Sequence, residues 1–473
     1  MSYWTESPGR RHDPWRQIFE FFICLAVAVL LYRTWYVQSF VVPSGSMAMT
    51  LVGLHRDLVC ADCGYAYRVG TDDPLPPYTT CTNCGYPDNR VDDRQTINGD
   101  RLLVDKTVYS RRPPERFEVI VFWHPDESHK AYIKRAVGLP GETIEIRDGE
   151  VHADGRLVRK TLDQQRAMAL LIHDDRFRPD ESSGFPPRWL ADLPQTGWQR
   201  DGDRYARAPE SLRHAATSPR AATDAVDWLA YRHWQRTPGR SDQAAEAPIY
   251  DNCGYNPLVS RRLNHVSDLL LRCRLRTSGE GSLWWYATDG REQFVLEIAP
   301  ARGLVRLEHN QREVRRAEVQ RAILADWTTF ELSTCDRQVI VACDGDELLE
   351  PYEYEPSAVP LQPTSRPLAV GTRQLGIELE NLQLYRDVYY TRPANVASPW
   401  GFEVPYQLAA DEYFVLGDNS PLSEDSRSWQ SGPGVPRELL VGKPLFVHLP
   451  SRLLDWRSWR LQLPDHTRMR YVR

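Results

Sequence analysis

A serine and a lysine occupy sequence settings that would suit nucleophilic catalysis. Ser46 lies in the small-residue segment PSGSM, residues 43–47, where glycine lets the backbone turn sharply and leaves room for a substrate carbonyl. Lys134 lies in the segment AYIKRAVGLPG, residues 131–141, whose alternating start predicts a strand. Burial disfavours a charged lysine and lowers its pKa from about 10.4 by several units. A neutral lysine beside a serine hydroxyl would act as a general base.

Two further polar segments must position such a pair. Residues 98–106, NGDRLLVDK, predict a turn that leads into a strand with an architectural role. Residues 417–427 form a polar loop after an apolar strand, a common place for site residues. In this loop Asp425 and Arg427 are predicted to form an ion pair, and Ser423 offers a hydroxyl that would orient an amine.

Each motif taken alone has an ordinary explanation. A PSGSM segment is most often a simple turn, and a strand lysine is most often solvated at a sheet edge, as is predicted here for Lys130 and Arg135. A Ser-His-Asp hydrolase with His124 or His129 as the base is the chemical alternative, but no GxSxG segment supports it.

Four cysteines form two CxxC pairs, Cys60 with Cys63 and Cys81 with Cys84, and each pair is followed by Gly-Tyr. This spacing favours tetrahedral coordination of a structural zinc ion, with no open position for catalysis. Two disulfides are the alternative if the segment lies outside the cytoplasm.

The 473 residues carry a net charge of -6 and are 41% hydrophobic, which excludes a disordered chain and predicts two or three domains. Nothing in this charge balance indicates a nucleic-acid partner. Residues 16–37 are predicted to form a transmembrane helix, which reaches the required length of about 20 residues only if Glu20 and Arg33 lie at the head-group level. A cleaved signal peptide and a buried soluble helix are the alternatives.

Arginines before the predicted helix indicate that residues 1–15 are cytoplasmic and that the rest is extracytoplasmic. Beyond the helix the chain is predicted to be mainly β. Residues 266–387 contain short strands at regular intervals, which predict a β-sandwich, whereas residues 156–265 show few apolar runs and predict a poorly defined insertion.

Together the four motifs, in this order, closely resemble those of the type I signal peptidases. The resemblance implies a catalytic domain built from residues 38–59, 95–155 and 388–473, with a zinc-ribbon-like insertion at 60–94 and the two later insertions at 156–265 and 266–387. The sandwich itself resembles concanavalin-like or laminin-G-like domains at the level of strand pattern only. One departure from the serine motif is Met49, where the family usually has proline.

What the resemblance implies is a serine endopeptidase of a bacterial-type plasma membrane that removes signal peptides from exported preproteins without a catalytic cofactor. Ser46 would be the nucleophile and Lys134 the general base. The oxyanion hole would be formed by Ser44 and the backbone N–H of Ser46, and Met47 would line the substrate side. The loop residues Ser423, Asp425 and Arg427 would support the lysine.

The sequence leaves two alternative functions open. An inactive protease part could serve as an anchor for a sandwich that binds an envelope glycan or protein. A self-cleaving repressor uses the same serine and lysine chemistry, but it is cytosolic and binds DNA, so the N-terminal apolar segment argues against it.

Overall fold

The computed structural model describes residues 14–71, 75–91, 96–127, 129–180, 183–191, 196–209, 226–237, 240–257, 259–321, 323–394, 396–448, 451–456 and 459–472. Strands dominate this part of the chain, as predicted. Its α-helices are Pro14–Trp35, Val108–Arg111 and Leu162–Met168, and short 3-10 turns lie at Gly45–Met47, Pro300–Arg302, Ser420–Leu422, Arg437–Leu439 and His466–Arg468.

The first helix, Pro14–Trp35, covers most of the predicted transmembrane segment. Its apolar side chains are exposed, among them Phe19, Phe21 and Ile23. Among the described residues, no helix combines the length and the apolar character needed to cross a membrane. The membrane span therefore stays a prediction, and the cytoplasmic segment falls mostly on residues 1–13, outside the described residues.

An eight-stranded sheet gathers strands from the two ends of the chain and from the segment around Lys134. In spatial order its strands are Val37–Val41, Arg101–Asp105, Leu440–Val447, Val119–Trp123, Ala131–Gly138, Glu412–Leu416 and Gly434–Pro436, and Arg470–Tyr471 also pairs with Leu440–Val447. A four-stranded sheet lies beside it, with the strands Arg156–Leu157, Glu150–Ala153, Thr143–Arg147 and Tyr406–Gln407. Segments far apart in sequence thus form one β-rich unit.

A nine-stranded and a seven-stranded sheet enclose the largest apolar core. The first contains Trp198–Asp201, Arg204–Arg207, Gly376–Arg386, Leu269–Ser278, Thr328–Ser333, Gln338–Cys343 and Asp346–Glu347, joined by Leu170–Asp174 and Tyr352–Glu353. The second contains Trp189–Ala191, Asp227–Tyr231, Leu368–Arg373, Ser282–Thr288, Gln293–Ala299, Leu304–His309 and Arg312–Glu318. Trp285 and Phe330, one from each sheet, stack with ring centroids 4.9 Å apart. The sheets therefore pack face to face as a sandwich.

The sandwich differs from the predicted one in its extent. Five strands from the stretch predicted to be poorly defined, between residues 170 and 231, join its two sheets. These strands are three to five residues long and lie among prolines and arginines, so they lack the alternation that reveals a strand in sequence. Trp189, Trp198 and Tyr231 from this stretch are buried in the shared core.

Small two-stranded sheets complete the structure. They pair His55–Val59 with Ala66–Gly70, Tyr78–Thr79 with Asn89–Arg90, Trp234–Thr237 with Arg240–Glu246, and Ser451–Trp456 with Trp459–Pro464. The first two frame the four cysteines, which lie in a small core of their own with Leu58, Tyr67 and Val69.

Candidate active site

Ser46 lies in a tight turn that directly follows the edge strand Val37–Val41. The 3-10 turn Gly45–Met47 is closed by a hydrogen bond from the Ala48 N–H to the Gly45 carbonyl. In such a turn the N–H of Ser46 does not bond to a carbonyl of the same turn. Ser46 itself is half-buried. The turn therefore places the Ser46 hydroxyl and the Ser46 N–H in the same short segment.

Lys134 lies on Ala131–Gly138, the lysine strand, which pairs with Val119–Trp123 on one side and Glu412–Leu416 on the other. Only 2% of Lys134 is exposed, and its Nζ is 2.7 Å from Ser46 Oγ. Burial lowers the pKa of Lys134 to about 8, although the carboxylates of Asp425 and Glu424 act in the opposite direction. The strand thus places an amine with a lowered pKa beside the serine hydroxyl.

Ser44 stands at the start of the serine turn. Its Oγ lies 3.5 Å from Ser46 Oγ, and the residue is exposed. The two serine hydroxyls therefore lie side by side at the surface of the turn.

The polar loop, residues 417–427, is held by a fully buried ion pair. Asp425 binds Arg427 through both oxygens, at 2.8 Å from Oδ1 to Nε and 2.7 Å from Oδ2 to Nη2. Arg427 also donates to the Thr391 carbonyl and to Ser420, and the Gly417 N–H donates to Asp425. Burial opposes ionisation of Asp425, but the Arg427 guanidinium outweighs it and lowers the pKa of the carboxyl. The pair is rigid and fully hydrogen-bonded, as the sequence predicted for these two residues.

Ser423, the third loop residue predicted to support the lysine, is buried next to Gly417. Its hydroxyl is buried against Gly417, whose missing side chain leaves it room. Among the described residues, Ser423 Oγ makes no hydrogen bond of normal geometry, although its hydroxyl is close enough to the Asp425 carboxylate to help lower the pKa of that carboxyl. The hydrogen bond of Lys134 Nζ goes to Ser46 and not to Ser423, so the contact with the lysine amine that the sequence predicted is not made in this conformation.

Arg135 was expected to be a solvated neighbour of Lys134, and that expectation is wrong. The residue is 1% exposed, and its Nε donates to Asp418 Oδ1 at 2.8 Å while Nη2 donates to Oδ2 at 2.5 Å. Asp418 also accepts from Thr50 Oγ1 at 2.6 Å. The pair therefore ties the lysine strand, the polar loop and the segment after Ser46 together. In the sequence, this pair is visible only as an arginine within an apolar strand and an aspartate just beyond the end of a second apolar strand, Glu412–Leu416.

Met47 also differs from its predicted role. Its side chain is 1% exposed and packs with Val42, Leu51 and Leu102. The residue that follows the serine therefore anchors the turn in the core rather than lining an open substrate surface. The 3-10 geometry explains this, because successive residues of the turn point in different directions.

The histidine alternative finds no support near the serine. His124 is buried, and its Nδ1 accepts from the N–H groups of Asp126 and Glu127. In the described residues, the hydroxyl of Ser46 contacts the side chains of Ser44 and Lys134 and of no histidine.

The four cysteines converge on one buried point. Their sulfur atoms all lie within 4.8 Å of one another, with Cys60 Sγ 3.6 Å from Cys84 Sγ and Cys63 Sγ 3.8 Å from Cys81 Sγ. None of these four sulfur atoms is bonded to another in a disulfide. Four sulfurs around a zinc ion at about 2.3 Å are separated by about 3.8 Å in a tetrahedron. The arrangement therefore fits a metal ion better than the predicted alternative of two disulfides.

The solved structures that this chain is similar to match it over less than half of its length. They include the carbohydrate binding module CBM66 from Bacillus subtilis, 7% identical, covering 42% of this chain and 92% of that chain with a TM-score of 0.22. Another is the VIP36 exoplasmic/lumenal domain, 10% identical, covering 47% and 88% with a TM-score of 0.27. At these scores the likeness carries no conclusion.

Sequence relatives match limited parts of the chain. They include signal peptidase I of Leptolyngbya laminosa, 45% identical over 65 residues, covering 12% of this chain and 32% of the relative. Signal peptidase I V of Bacillus subtilis (strain 168) is 42% identical over 60 residues, covering 13% and 34%. Signal peptidase I of Rickettsia bellii (strain OSU 85-389) is 26% identical over 156 residues, covering 33% and 45%. The chain thus spans about a third to under half of the length of these relatives.

The family described as signal peptidase, peptidase S26, matches residues 91–188 and 336–449. These ranges contain the lysine strand and the whole polar loop, and the relatives carry the same family name. Within these ranges the chain is similar to the signal peptidase family, peptidase S26, and the contact between Lys134 and Ser46 agrees with that similarity.

Proposed function

We propose that the chain is a serine endopeptidase that removes N-terminal signal peptides from exported preproteins, with Ser46 as the nucleophile and Lys134 as the general base. The observation that carries the proposal is the 2.7 Å contact between Lys134 Nζ and Ser46 Oγ at a lysine that is 2% exposed. The same contact argues against a purely anchoring role for an inactive protease part.

In the proposed reaction, neutral Lys134 accepts the hydroxyl proton of Ser46 as Oγ attacks the scissile carbonyl. The oxyanion is stabilised by Ser44 Oγ and the N–H of Ser46, a type of contact that contributes about 3 to 4 kcal/mol to catalysis. The lysine then gives its proton to the leaving amine. A water molecule, deprotonated by the same lysine, releases the acylated serine. Asp425 and Arg427 support the loop against which the amine is held.

The test is cleavage of a purified preprotein by the full chain in detergent. Ser46→Ala and Lys134→Ala should each reduce cleavage by at least about 10³-fold, because each removes one half of the reacting pair. Lys130→Ala is the matched control, since Lys130 is exposed and pairs with Glu127, and it should cleave normally. Cleavage that survives Lys134→Ala would refute the mechanism.

We also propose that the helix Pro14–Trp35 holds the protein at a lipid bilayer, with residues 1–13 in the cytoplasm and the sheets outside. Its exposed apolar side chains, among them Phe22 and Leu30, are unfavourable in water and favourable in lipid. Protease added to intact spheroplasts should digest the sheets and spare an N-terminal tag. Digestion of the tag instead, or release of the chain by carbonate washing, would contradict this arrangement.

For the four-cysteine cluster we propose one structural zinc ion. The tetrahedral sulfur spacing and complete burial support this assignment, and four thiolates leave no position for a reacting group. Purified protein should contain one zinc per chain by elemental analysis, and Cys60→Ser with Cys84→Ser should lose it. Disulfide-linked cysteines in protein isolated from the envelope would overturn the assignment.

Finally, we propose that residues 156–387 form one inserted domain rather than a loose stretch followed by a sandwich. The strands from 170 to 231 that join both sheets support this division. An envelope glycan or protein as the partner of this domain remains a prediction from the sequence alone.

A further inference from the structure

A short segment of the inserted domain, residues 251–256, reaches from the sandwich to the serine turn; we call it the strap. Its first residue, Asp251, is held by the segment that leads into the sandwich strand Leu269–Ser278: its carboxylate accepts from Arg261 at 2.8 Å and from the Asn264 N–H at 2.8 Å. Arg386, the last residue of the sandwich strand Gly376–Arg386, donates to the carbonyls of Asp251 and Asn252. The strap is therefore anchored at the end that faces the sandwich.

At the other end, Tyr255 fills space beside the serine turn. The residue is 1% exposed, and its ring lies against both Gly45 and Gly70. A side-chain Cβ placed on Gly45 would lie 2.2 Å from the ring, and one on Gly70 would lie 2.3 Å from it. The Tyr255 hydroxyl donates to the Leu54 carbonyl at 2.9 Å. The two glycines thus admit the ring to a slot behind the nucleophile.

The next residue, Asn256, is bonded to the polar loop. Asn256 and Asn419 exchange two amide hydrogen bonds, of 2.6 and 2.8 Å. Asn419 in turn donates from Nδ2 to the Gly45 carbonyl at 2.8 Å, and its backbone N–H donates to the Ser46 carbonyl at 3.0 Å. Both peptide groups around the serine are therefore held by an asparagine whose side chain the strap fixes.

We propose that Tyr255 and Asn256 are positioning residues for Ser46, so that the inserted domain completes the active site of the peptidase instead of acting only as a spacer. Neither residue touches the reacting atoms; Tyr255 supports the turn sterically, and Asn256 acts through Asn419. This inference rests on the proposed function, because it assigns the strap to the same serine and lysine reaction.

The proposal has a specific kinetic consequence. A misplacement of about 1 Å at a reacting atom can reduce the rate by about 10²-fold. Loosening of the turn would also admit water to the Lys134 amine and move its pKa from about 8 towards the usual value, because burial is the main cause of the shift. The charged groups that act on the amine, Asp425, Glu424, Arg427 and Asp418, stay unchanged when the strap is altered.

The experiment compares full-length variants in detergent. Asn256→Ala and Tyr255→Ala should lower kcat by about 10²-fold with little change in KM, and the acidic limb of the kcat profile should move to higher pH. Tyr255→Phe keeps the ring and should retain most of the activity. Tyr354→Ala is the matched control, because it truncates a buried tyrosine of the sandwich core remote from the strap and should leave the pH profile in place. Equal pH profiles in Asn256→Ala and wild type would overturn the proposal.

A second measurement separates this inference from the proposed function. The pH dependence of Lys134 acetylation by acetic anhydride, followed by peptide mass spectrometry, reports the state of the amine without any substrate. If wild type cleaves no preprotein but the acetylation midpoint rises in Asn256→Ala and not in Tyr354→Ala, the positioning role stands and the peptidase assignment fails. If wild type cleaves and Asn256→Ala matches it in kcat and midpoint, the positioning role fails alone.

Discussion

Two lysines are buried almost equally in this molecule, yet their surroundings give them opposite properties. Lys134 is 2% exposed and lies against the Ser46 hydroxyl, and burial lowers its pKa to about 8. Lys160 is 4% exposed and lies between Asp336 and Asp387, with 2.9 Å to Asp387 Oδ2. Burial also opposes its charge, but the carboxylates of Asp336 and Asp387 outweigh it and raise its pKa well above the usual range. Burial alone does not set the direction in which the pKa of a lysine shifts. The direction depends on whether the nearest partner is a neutral hydroxyl or a carboxylate.

Replacing each lysine by methionine gives the largest expected effects. Lys134→Met should abolish cleavage and raise the free energy of unfolding at pH 6, since it removes a buried amine that carries a desolvation penalty below its folded pKa of about 8. Lys160→Met should lower the free energy of unfolding by about 3 to 5 kcal/mol, because two buried carboxylates lose their cation. Urea unfolding with circular dichroism, paired with cleavage assays, measures both. An equal decrease in the free energy of unfolding in both variants would contradict the prediction that burial destabilises Lys134 whereas carboxylates stabilise Lys160.

The pH dependence of cleavage sharpens the same comparison. The general base must be neutral, and Lys134 is protonated below a pKa of about 8. The rate should therefore fall about tenfold for each pH unit below 8 and approach a plateau above it. Initial rates between pH 6 and 10 test this, with Lys160 expected to stay charged throughout. A rate already at its plateau at pH 6 would show that another group is the base.

A smaller shift should follow from the exposed carboxylate nearest the base. Glu424 favours the charged form of Lys134, so Glu424→Gln should lower the lysine pKa. The acidic limb of the cleavage profile should move to lower pH by a fraction of a unit, because solvent screens an exposed charge. Glu438→Gln, on the 3-10 turn Arg437–Leu439, removes the same charge elsewhere and serves as the control. A limb that moves upwards would mean that Glu424 acts through loop structure rather than through its charge.

The smallest effect is expected at Ser423. Its buried hydroxyl makes no hydrogen bond of normal geometry in the described residues and at most a weak contact with the Asp425 carboxylate, so Ser423→Ala should change the free energy of unfolding only slightly. Cleavage by this variant measures whether the hydroxyl turns onto the lysine amine when substrate binds. A tenfold or larger loss of kcat at unchanged stability would establish that contact. Unchanged kcat would mean that, among the described residues, only the Ser46 side chain forms a hydrogen bond with the amine.

The sequence predicted the chemical pair because short motifs encode local chemistry. Ser46 and Lys134 were both named from their segments, and the structure brings the two side chains into contact. The strands at 269–307 and 328–384 were visible because apolar residues alternate along them. The four-cysteine cluster was visible for a similar reason, since its spacing reflects ligand geometry directly.

What the sequence did not reveal depends on contacts between distant segments. Arg135 was taken for a solvated residue, since only the folded sheet brings Asp418 to its guanidinium. The strap was missed because Tyr255 and Asn256 show no motif and acquire their places only when Gly45 and Asn419 pack around them. Charged or polar side chains in such pairs obscure the apolar pattern on which sequence-based prediction relies.

The bonds that fasten the serine turn have a consequence for biosynthesis. The Gly45 carbonyl accepts from Asn419, 374 positions further along the chain, and the lysine strand is tied to Asp418, 283 positions after Arg135. During translation at about 5 to 20 residues per second, the nucleophile leaves the ribosome long before these partners exist. The emerging chain therefore carries its serine in an unassembled state for tens of seconds, and the proposed peptidase site is assembled only once the polypeptide is nearly complete. A peptidase of the proposed kind is silent during its own synthesis.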